Sequence, residues 1–233
     1  MTRKYLVVDD NVAFADNVAE ILGDAGAEVR VVPSAVEALQ ELQNTRFDGV
    51  VTDMRMPGIS GAEFLKRLRS IDPGVPVVLL TAWAQDAQID EARRLGLLAF
   101  LSKPTGTKQL ISLMEHARRD ACVVLIDDDH ALLENLSEAL AQHGFTACSA
   151  SSVKELGQLN VKPLAALVDV RLPGSEDGAA VQKVKELFPQ TPLLVLTGAR
   201  EFDQGGLEIV RKPFDTAKLL ARLEALALQK GAA

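Results

Sequence analysis

Residues 49–58 read Gly49-Val50-Val51-Thr52-Asp53-Met54-Arg55-Met56-Pro57-Gly58. An apolar, β-branched run ends on an aspartate and then breaks at Pro-Gly. Consecutive apolar residues fit a strand covered on both faces, and Pro-Gly fits the loop after it. The pattern returns 116 residues later, as Ala165-Ala166-Leu167-Val168-Asp169 ahead of Pro173-Gly174. Neighbouring runs double in the same way. Leu6-Val7-Val8 leads into Asp9-Asp10, and Val123-Val124-Leu125-Ile126 into Asp127-Asp128. Val77-Val78-Leu79-Leu80 leads into Thr81-Ala82, and Leu193-Leu194-Val195-Leu196 into Thr197-Gly198. Each half then closes on a Lys-Pro, Lys103-Pro104 and Lys212-Pro213. Polar side chains at the carboxyl ends of buried strands converge at one edge of a parallel sheet, where open α/β sheets place their sites.

The first half alternates strand patterns (5–9, 27–32, 48–53, 76–81, 98–102) with helical ones (11–25, 34–45, 61–71, 85–95, 106–118). In the first helix Phe14, Val18, Ile21 and Leu22 recur at helical spacing. Such alternation implies a parallel sheet with right-handed crossovers and helices on both faces. The second half repeats it, with strands at 122–127, 145–149, 164–169, 192–197 and 207–211 and helices at 129–143, 151–158, 177–187 and 215–229. The expected fold is therefore α/β, two tandem doubly wound five-stranded sheets, in domains 1–119 and 120–233. One element is short. From Thr81 to Lys103 is 22 residues, but from Thr197 to Lys212 only 15, so the second copy's fourth helix is expected to be truncated to a turn or loop. The first domain's last helix is expected to run to about Arg119, with no Pro, Gly or Ser linker behind it, so the domains should not tumble freely. Only Lys230-Gly231-Ala232-Ala233 follows the last helix, so a regulator without an effector domain is expected.

Composition agrees with this reading. The chain has 233 residues, 48% hydrophobic and 24% charged, as globular domains do. Its net charge of −7 divides as −3 over residues 1–120 and −4 over 121–233, which argues against a nucleic-acid surface. No apolar run reaches membrane-spanning length, and no signal-peptide core follows Met1-Thr2-Arg3-Lys4. A cytoplasmic location is expected. Cys122 and Cys148 fit buried thiols on the second copy's first two strands.

Asp9, Asp10 and Asp53 place three carboxylates at one strand edge. At about 4 Å, each like pair costs on the order of 4 kcal/mol at an effective dielectric of about 20. A divalent, oxygen-seeking ion such as Mg²⁺ would offset that, since it binds through carboxylates, waters and phosphate oxygens. Lys103 supplies a second positive charge and Thr81 a hydroxyl donor. A cation, an ammonium and a hydroxyl around one carboxylate form a cradle for a phosphoryl group. Asp53 is then the nucleophile, forming an acyl phosphate. Ala82, and Gly198 in the second copy, leave space for the incoming group. Each feature alone has a plainer reading. Asp-Asp after a strand is commonly a helix N-cap with a solvated neighbour, and a strand-ending Thr is a good β-former. Their joint recurrence, in order and twice, carries the functional reading.

On these residues the chain resembles the receiver domain of two-component response regulators, in two tandem copies. In the first copy the likeness lies in Asp9-Asp10, Asp53-Met54-Arg55-Met56-Pro57-Gly58, Gly61, Thr81-Ala82 and Phe100-Leu101-Ser102-Lys103-Pro104. The resemblance implies a flavodoxin-like fold. It implies that Asp10, Asp53 and the backbone carbonyl of Arg55 ligate Mg²⁺, with Asp9 acting through water. It further implies that Thr81 and Phe100 form a switch pair which remodels the fourth helix, fifth strand and fifth helix. By the same likeness Asp169 is a second phosphoacceptor, with Asp127, Asp128 and the Arg171 carbonyl around its metal and Thr197, Gly198 and Lys212 around its phosphoryl group. There the switch aromatic is replaced by Ile209, which has no ring to rotate.

Implied partners are a histidine kinase or histidine phosphotransfer protein and a downstream protein target. Mutual packing of the two receivers is expected, with a homodimer as a further option. The leading reading is a phosphoacceptor regulator that signals through protein contacts and is not otherwise an enzyme. The competing one is a relay or sink, in which phosphate flow to a phosphotransfer histidine or to water is the output. A phosphohydrolase of the aspartate-nucleophile type would want Asp-x-Asp on its first strand and a cap domain, and fits less well. Trp83, two residues beyond Thr81, is expected to report on the first site by fluorescence.

Overall fold

The computed structural model describes residues 2–82, 88–104, 106–174, 178–198 and 206–231. Its first half runs β1 (Lys4–Val8), α1 (Val12–Asp24), β2 (Glu28–Val32), α2 (Ala35–Asn44), β3 (Gly49–Asp53), α3 (Gly61–Ile71), β4 (Val77–Thr81), α4 (Gln88–Arg94), β5 (Ala99–Ser102) and α5 (Thr107–His116). The second half runs β6 (Cys122–Ile126), α6 (His130–Gln142), β7 (Thr146–Ala150), α7 (Val153–Leu156), β8 (Ala165–Asp169), α8 (Ala179–Leu187), β9 (Leu193–Thr197), β10 (Glu208–Arg211) and α9 (Thr216–Lys230). Every expected strand lies within one residue of its predicted ends.

Each half forms an all-parallel sheet, ordered β2-β1-β3-β4-β5 and, read from the β7 edge, β7-β6-β8-β9-β10. This is the flavodoxin-like doubly wound order. The consecutive apolar runs serve two cores at once. On β1, Leu6 and Val8 pack into one cluster and Tyr5 and Val7 into the opposite one. On β6, Val123 and Leu125 face one cluster, and Cys122, Val124 and Ile126 the other. Local caps start the helices. Ser34, Ser60 and Ser152 accept the amides of Glu37, Glu63 and Glu155 at α2, α3 and α7. These are the serine caps of the Ser-x-x-Glu pattern.

Two helices fall short of expectation. Helix α7 spans four residues, not 151–158, because Gly157 caps it after one turn. Helix α5 stops at His116, short of Arg119. Beyond it the Arg118 amide donates to the Gly144 carbonyl at 2.9 Å, the Asp120 amide to Gly74 at 2.9 Å, and Asp120 takes φ +58°. The chain leaves the helix to tie both halves together. Between β9 and β10 no helix occurs among the described residues; residues 199–205 lie outside them, as do 175–177 of the loop after Asp169.

The two sheets meet edge to edge. Leu97, just ahead of β5, and Ala147 on β7 exchange two backbone hydrogen bonds of 3.0 Å in an antiparallel bridge. The second receiver thereby lies against the β5 edge of the first, with one backbone bridge between them. Arg93 pairs with Glu134 at 2.9 Å and Arg94 with Glu155 at 3.2 Å. The Cys148 thiol donates to the Arg94 carbonyl at 2.8 Å. Helix α6 lies against β5 and α5. Arg119 clasps Asp72 with bonds of 2.8 and 2.7 Å, and the Arg118 guanidinium lies over the Phe145 ring at 5.1 Å. Gly144 is required at this seam: its φ is +79°, and a Cβ there would overlap the His116 carbonyl oxygen. A cleft of about 520 Å³ remains between the halves, lined by Leu97, Phe100, Gln109, His130, Leu133 and Glu134 among others.

Behind the seam Arg69, 4% exposed, gives its guanidinium to the carbonyls of Leu95 (2.9 Å), Val75 (2.6 Å) and Gly96 (2.7 Å). Burial pushes its pKa below the usual arginine value. It fixes the turn that presents Leu97 to the second sheet.

Candidate functional site

In each sheet the strand order reverses between two adjacent strands, β1 and β3 or β6 and β8, and the crevice outside their carboxyl ends is the expected binding position. Asp9 and Asp10 follow β1 and Asp53 ends β3; Asp127 and Asp128 follow β6 and Asp169 ends β8. Within each trio one ligand oxygen per residue lies within 4.8 Å of the others. Asp9 and Asp53 are buried (2% and 8% exposed) while Asp10 faces solvent. The acidic pair does not cap the helix, as its plainer reading would have it. Asn11 caps α1 through the Phe14 amide, and Asp129 caps α6 through the Leu132 amide. Asp9 and Asp127 instead accept the amides of Asn11 (2.9 Å) and Asp129 (3.1 Å), which orients them at the sheet edge.

Lys103 bridges the first cluster, with its ammonium 2.6 Å from Asp9 Oδ2 and 2.8 Å from Asp53 Oδ1. Burial by itself would lower the Lys103 pKa; the hydrogen bonds to Asp53 and Asp9 outweigh it and hold the ammonium above the ordinary lysine value. Its backbone amide donates to the Thr81 carbonyl at 2.6 Å, which sets Lys103 beside the buried Thr81. Ala82 is exposed next to them. The Arg55 amide donates to Asp53 Oδ2 at 3.0 Å. Gly61 lets α3 start directly behind the acid, for a Cβ there would lie 2.9 Å from the Asp53 carbonyl oxygen. Phe100, half-buried on β5, stands opposite Leu79 in register, two residues before Thr81, and lines the cleft between the halves.

The second cluster repeats this frame. Lys212 lies 2.5 Å from both Asp127 Oδ2 and Asp169 Oδ2. Its amide donates to the Thr197 carbonyl at 2.9 Å, and the Arg171 amide to Asp169 Oδ1 at 2.9 Å. Burial again opposes, and the bonds to Asp127 and Asp169 again raise, the Lys212 pKa. Burial pushes Asp127 above the usual carboxylate value, only partly offset by Lys212. Gly198 is exposed at the mouth. Ile209 occupies the register place of Phe100, opposite Val195. Trp83 lies outside the described residues.

One contact was not legible as a site feature. The Phe14 ring, expected only as part of the apolar face of α1, sits 4.2 Å from the Lys103 ammonium, a cation–π distance. The matching place in α6 is Leu132, which has no ring.

Both trios offer oxygen donors only, one of them solvent-facing, the set that a hard cation takes in preference to zinc or copper. The buried Asp9–Asp53 pair sits where two like charges cost about 3–4 kcal/mol at an effective dielectric of 20, so a cation there is favoured on charge grounds.

A family model described as the response regulator receiver domain matches residues 5–115 and 123–224. A response regulator receiver protein of Anaeromyxobacter sp. (strain Fw109-5) is 46% identical over 234 residues, covering 98% of this chain and 97% of its own. The sporulation initiation phosphotransferase F of Bacillus subtilis (strain 168) is 33% identical over 104 residues, 45% of this chain and 84% of its own. Among solved structures, the chemotaxis response regulator CheY4 of Vibrio cholerae aligns with a TM-score of 0.46 at 32% identity, over 49% of this chain and 98% of its own. Two doubly wound domains, each with an acidic trio and a lysine at its carboxyl edge, define a tandem receiver. The chain belongs to the response regulator receiver family of two-component systems. No helix among the described residues is long and apolar enough to cross a membrane.

Proposed function

We propose that the chain acts in the cytoplasm as a response regulator whose receivers, 1–119 and 120–233, are phosphorylated on Asp53 and, secondarily, Asp169. A histidine kinase or histidine phosphotransfer protein supplies the phosphoryl group. An oxygen of Asp53 forms the new bond to phosphorus while the donor's P–N bond breaks. The leaving imidazole keeps that electron pair and takes up a proton. Mg²⁺, held by Asp10, Asp53, the Arg55 carbonyl and, through water, Asp9, would supply positive charge to the phosphoryl oxygens. Lys103 orients Asp53 and adds a second charge, and the Thr81 hydroxyl and Ala82 amide receive the group. The chain's covalent chemistry is confined to its own phosphorylation and dephosphorylation, and its output is a change in protein contacts.

The observation that supports this most is the Lys103 ammonium bridging the buried Asp9 and Asp53, repeated by Lys212 across Asp127 and Asp169. The second receiver keeps the acids but has Ile209 in place of the aromatic, which favours phosphorylation with little conformational response. A relay role is the second reading, favoured by the likeness to a protein named as a sporulation phosphotransferase. Labelled acetyl phosphate with Mg²⁺ tests the assignment. Asp53→Asn is expected to lose most of the incorporated label and Asp169→Asn a minor share. Undiminished labelling of Asp53→Asn would show the assignment to be wrong.

A further inference from the structure

One stretch of chain serves both the first site and the seam between the receivers. Lys103, at its carboxyl end, joins Asp9 and Asp53. Leu97, six residues earlier, exchanges two 3.0 Å hydrogen bonds with Ala147 of the second receiver. Six residues of extended chain span about 20 Å, so β5 links the two directly. Phe100 lies between them and lines the cleft that separates the receivers. Helix α4, just before this stretch, holds the second receiver through Arg93–Glu134, Arg94–Glu155 and the Arg94 carbonyl that takes the Cys148 thiol.

The seam is suited to opening. Its ion pairs have side chains 29–55% exposed, where such pairs contribute little. Its backbone pairing is a single bridge, with a cleft of about 520 Å³ beside it. By contrast the Arg119–Asp72 clasp and the Arg118–Gly144 bond tether the chain where it passes from one receiver to the other. A weak joint beside a covalent connection that is itself held can open without the receivers separating.

We infer that the second receiver is the partner that reads the first: phosphorylation of Asp53 loosens the Leu97–Ala147 joint between β7 and the turn ahead of β5. This rests on Asp53 being a phosphoacceptor. Phosphorylation neutralises the carboxylate that meets Lys103 and moves roughly two negative charges outward onto the phosphoryl group. Lys103 follows that charge, and the end of β5 moves with it. Packed seams have discrete arrangements and do not deform continuously, so a displaced β5 no longer fits β7. The α4–β5–α5 face then becomes available for other contacts.

The test uses the full chain in an Asp169→Ala background with Mg²⁺ and beryllofluoride. Fluorine NMR reports occupancy of the first site, and amide hydrogen exchange reports the joint. With the site filled, protection at Leu97 and Ala147 should fall about tenfold, within the usual range of coupling between sites. Coupling is reciprocal, so an Arg93→Ala/Arg94→Ala variant, which weakens the seam outside the site, should bind beryllofluoride more tightly. Asp53→Ala should lose both signals. A bound-fluoride signal with unchanged or increased protection would overturn the inference and leave the phosphoacceptor assignment standing. Absence of any bound-fluoride signal would remove that assignment, and the inference with it.

Discussion

Replacing Arg69 with methionine should weaken the first receiver and its seam together. The guanidinium is 4% exposed and makes three short hydrogen bonds, to the carbonyls of Leu95, Val75 and Gly96. Methionine fills similar space but donates nothing. Each buried carbonyl left unpaired costs about 1–3 kcal/mol, a gross loss of about 3–9 kcal/mol for three. Relief from burying a charge without a carboxylate partner returns several kcal/mol. The net expectation is a destabilisation of about 2–5 kcal/mol, the upper tail of single substitutions. At a urea dependence of about 2 kcal/mol/M that is a fall of about 1–2.5 M in the unfolding midpoint. The transition is followed by the fluorescence of Trp83, the only tryptophan. Arg69→Lys should fall between, since one ammonium cannot reach all three carbonyls in the fork geometry that arginine offers. Amide protection at Leu97 should drop in the methionine variant, because the turn that presents it has lost its anchor. A midpoint within about 0.3 M of the parent, under about 1 kcal/mol, would refute the view that Arg69 is the structural hub of the seam.

Two further outcomes follow from the sites. Mg²⁺ should raise the thermal midpoint of the chain, by about 2.7 kcal/mol of stability per site at a hundredfold excess over its dissociation constant; calorimetry of Asp10→Asn should show a smaller gain. Phe14→Leu, which copies the second site's Leu132, removes a cation–π contact of about 0.5–1 kcal/mol. Labelling of Asp53 by acetyl phosphate should slow about two- to fivefold, with circular dichroism unchanged and Leu132→Phe acting the opposite way on Asp169.

The sites were legible because strand ends are. Apolar β-branched runs locate β1, β3 and β4 to within a residue, and the polar residue that ends or directly follows each run must lie at the sheet's carboxyl edge. The lysine bridge follows from the same geometry. Phe14 was not legible as a contact to Lys103, because a ring on the apolar side of α1 reads as core whether or not an ammonium lies above it. Arg69 sits in Lys66-Arg67-Leu68-Arg69, whose basic residues read as a solvated helix face. Its partners are carbonyls of two other loops, and carbonyls leave no mark in a sequence. The early end of α5 was hidden for a similar reason. Gly144, which the Arg118 amide seeks, gains meaning only once the two halves are in contact.

The seam also explains why two similar receivers need not assemble without limit. The contact is heterologous: α4, β5 and α5 of the first copy meet α6 and β7 of the second. Heterologous contacts between like units can repeat into open chains unless something stops them. The free counterparts here are β10 of the second receiver and β2 of the first. Each carries charge where the seam strands are apolar. On β2, Glu28 and Arg30 are exposed and paired with Lys4 and Glu41, whereas on β7 the residues Thr146, Ala147 and Cys148 are buried. On β10, Glu208 and Arg211 are exposed and Glu208 pairs with Arg222, whereas β5 offers Ala99, Phe100 and Leu101. Exposed charge on an edge strand discourages edge-to-edge pairing, because docking would strip those groups of water without a partner to replace it. The halves thus present compatible edges at the seam, and charge on the two outer edges disfavours repeating that contact. The second receiver has the same acids and lysine but no ring at the places of Phe100 and Phe14, where Ile209 and Leu132 stand. The parts of it that meet the first receiver, β7 and α6, are the ones shaped for contact.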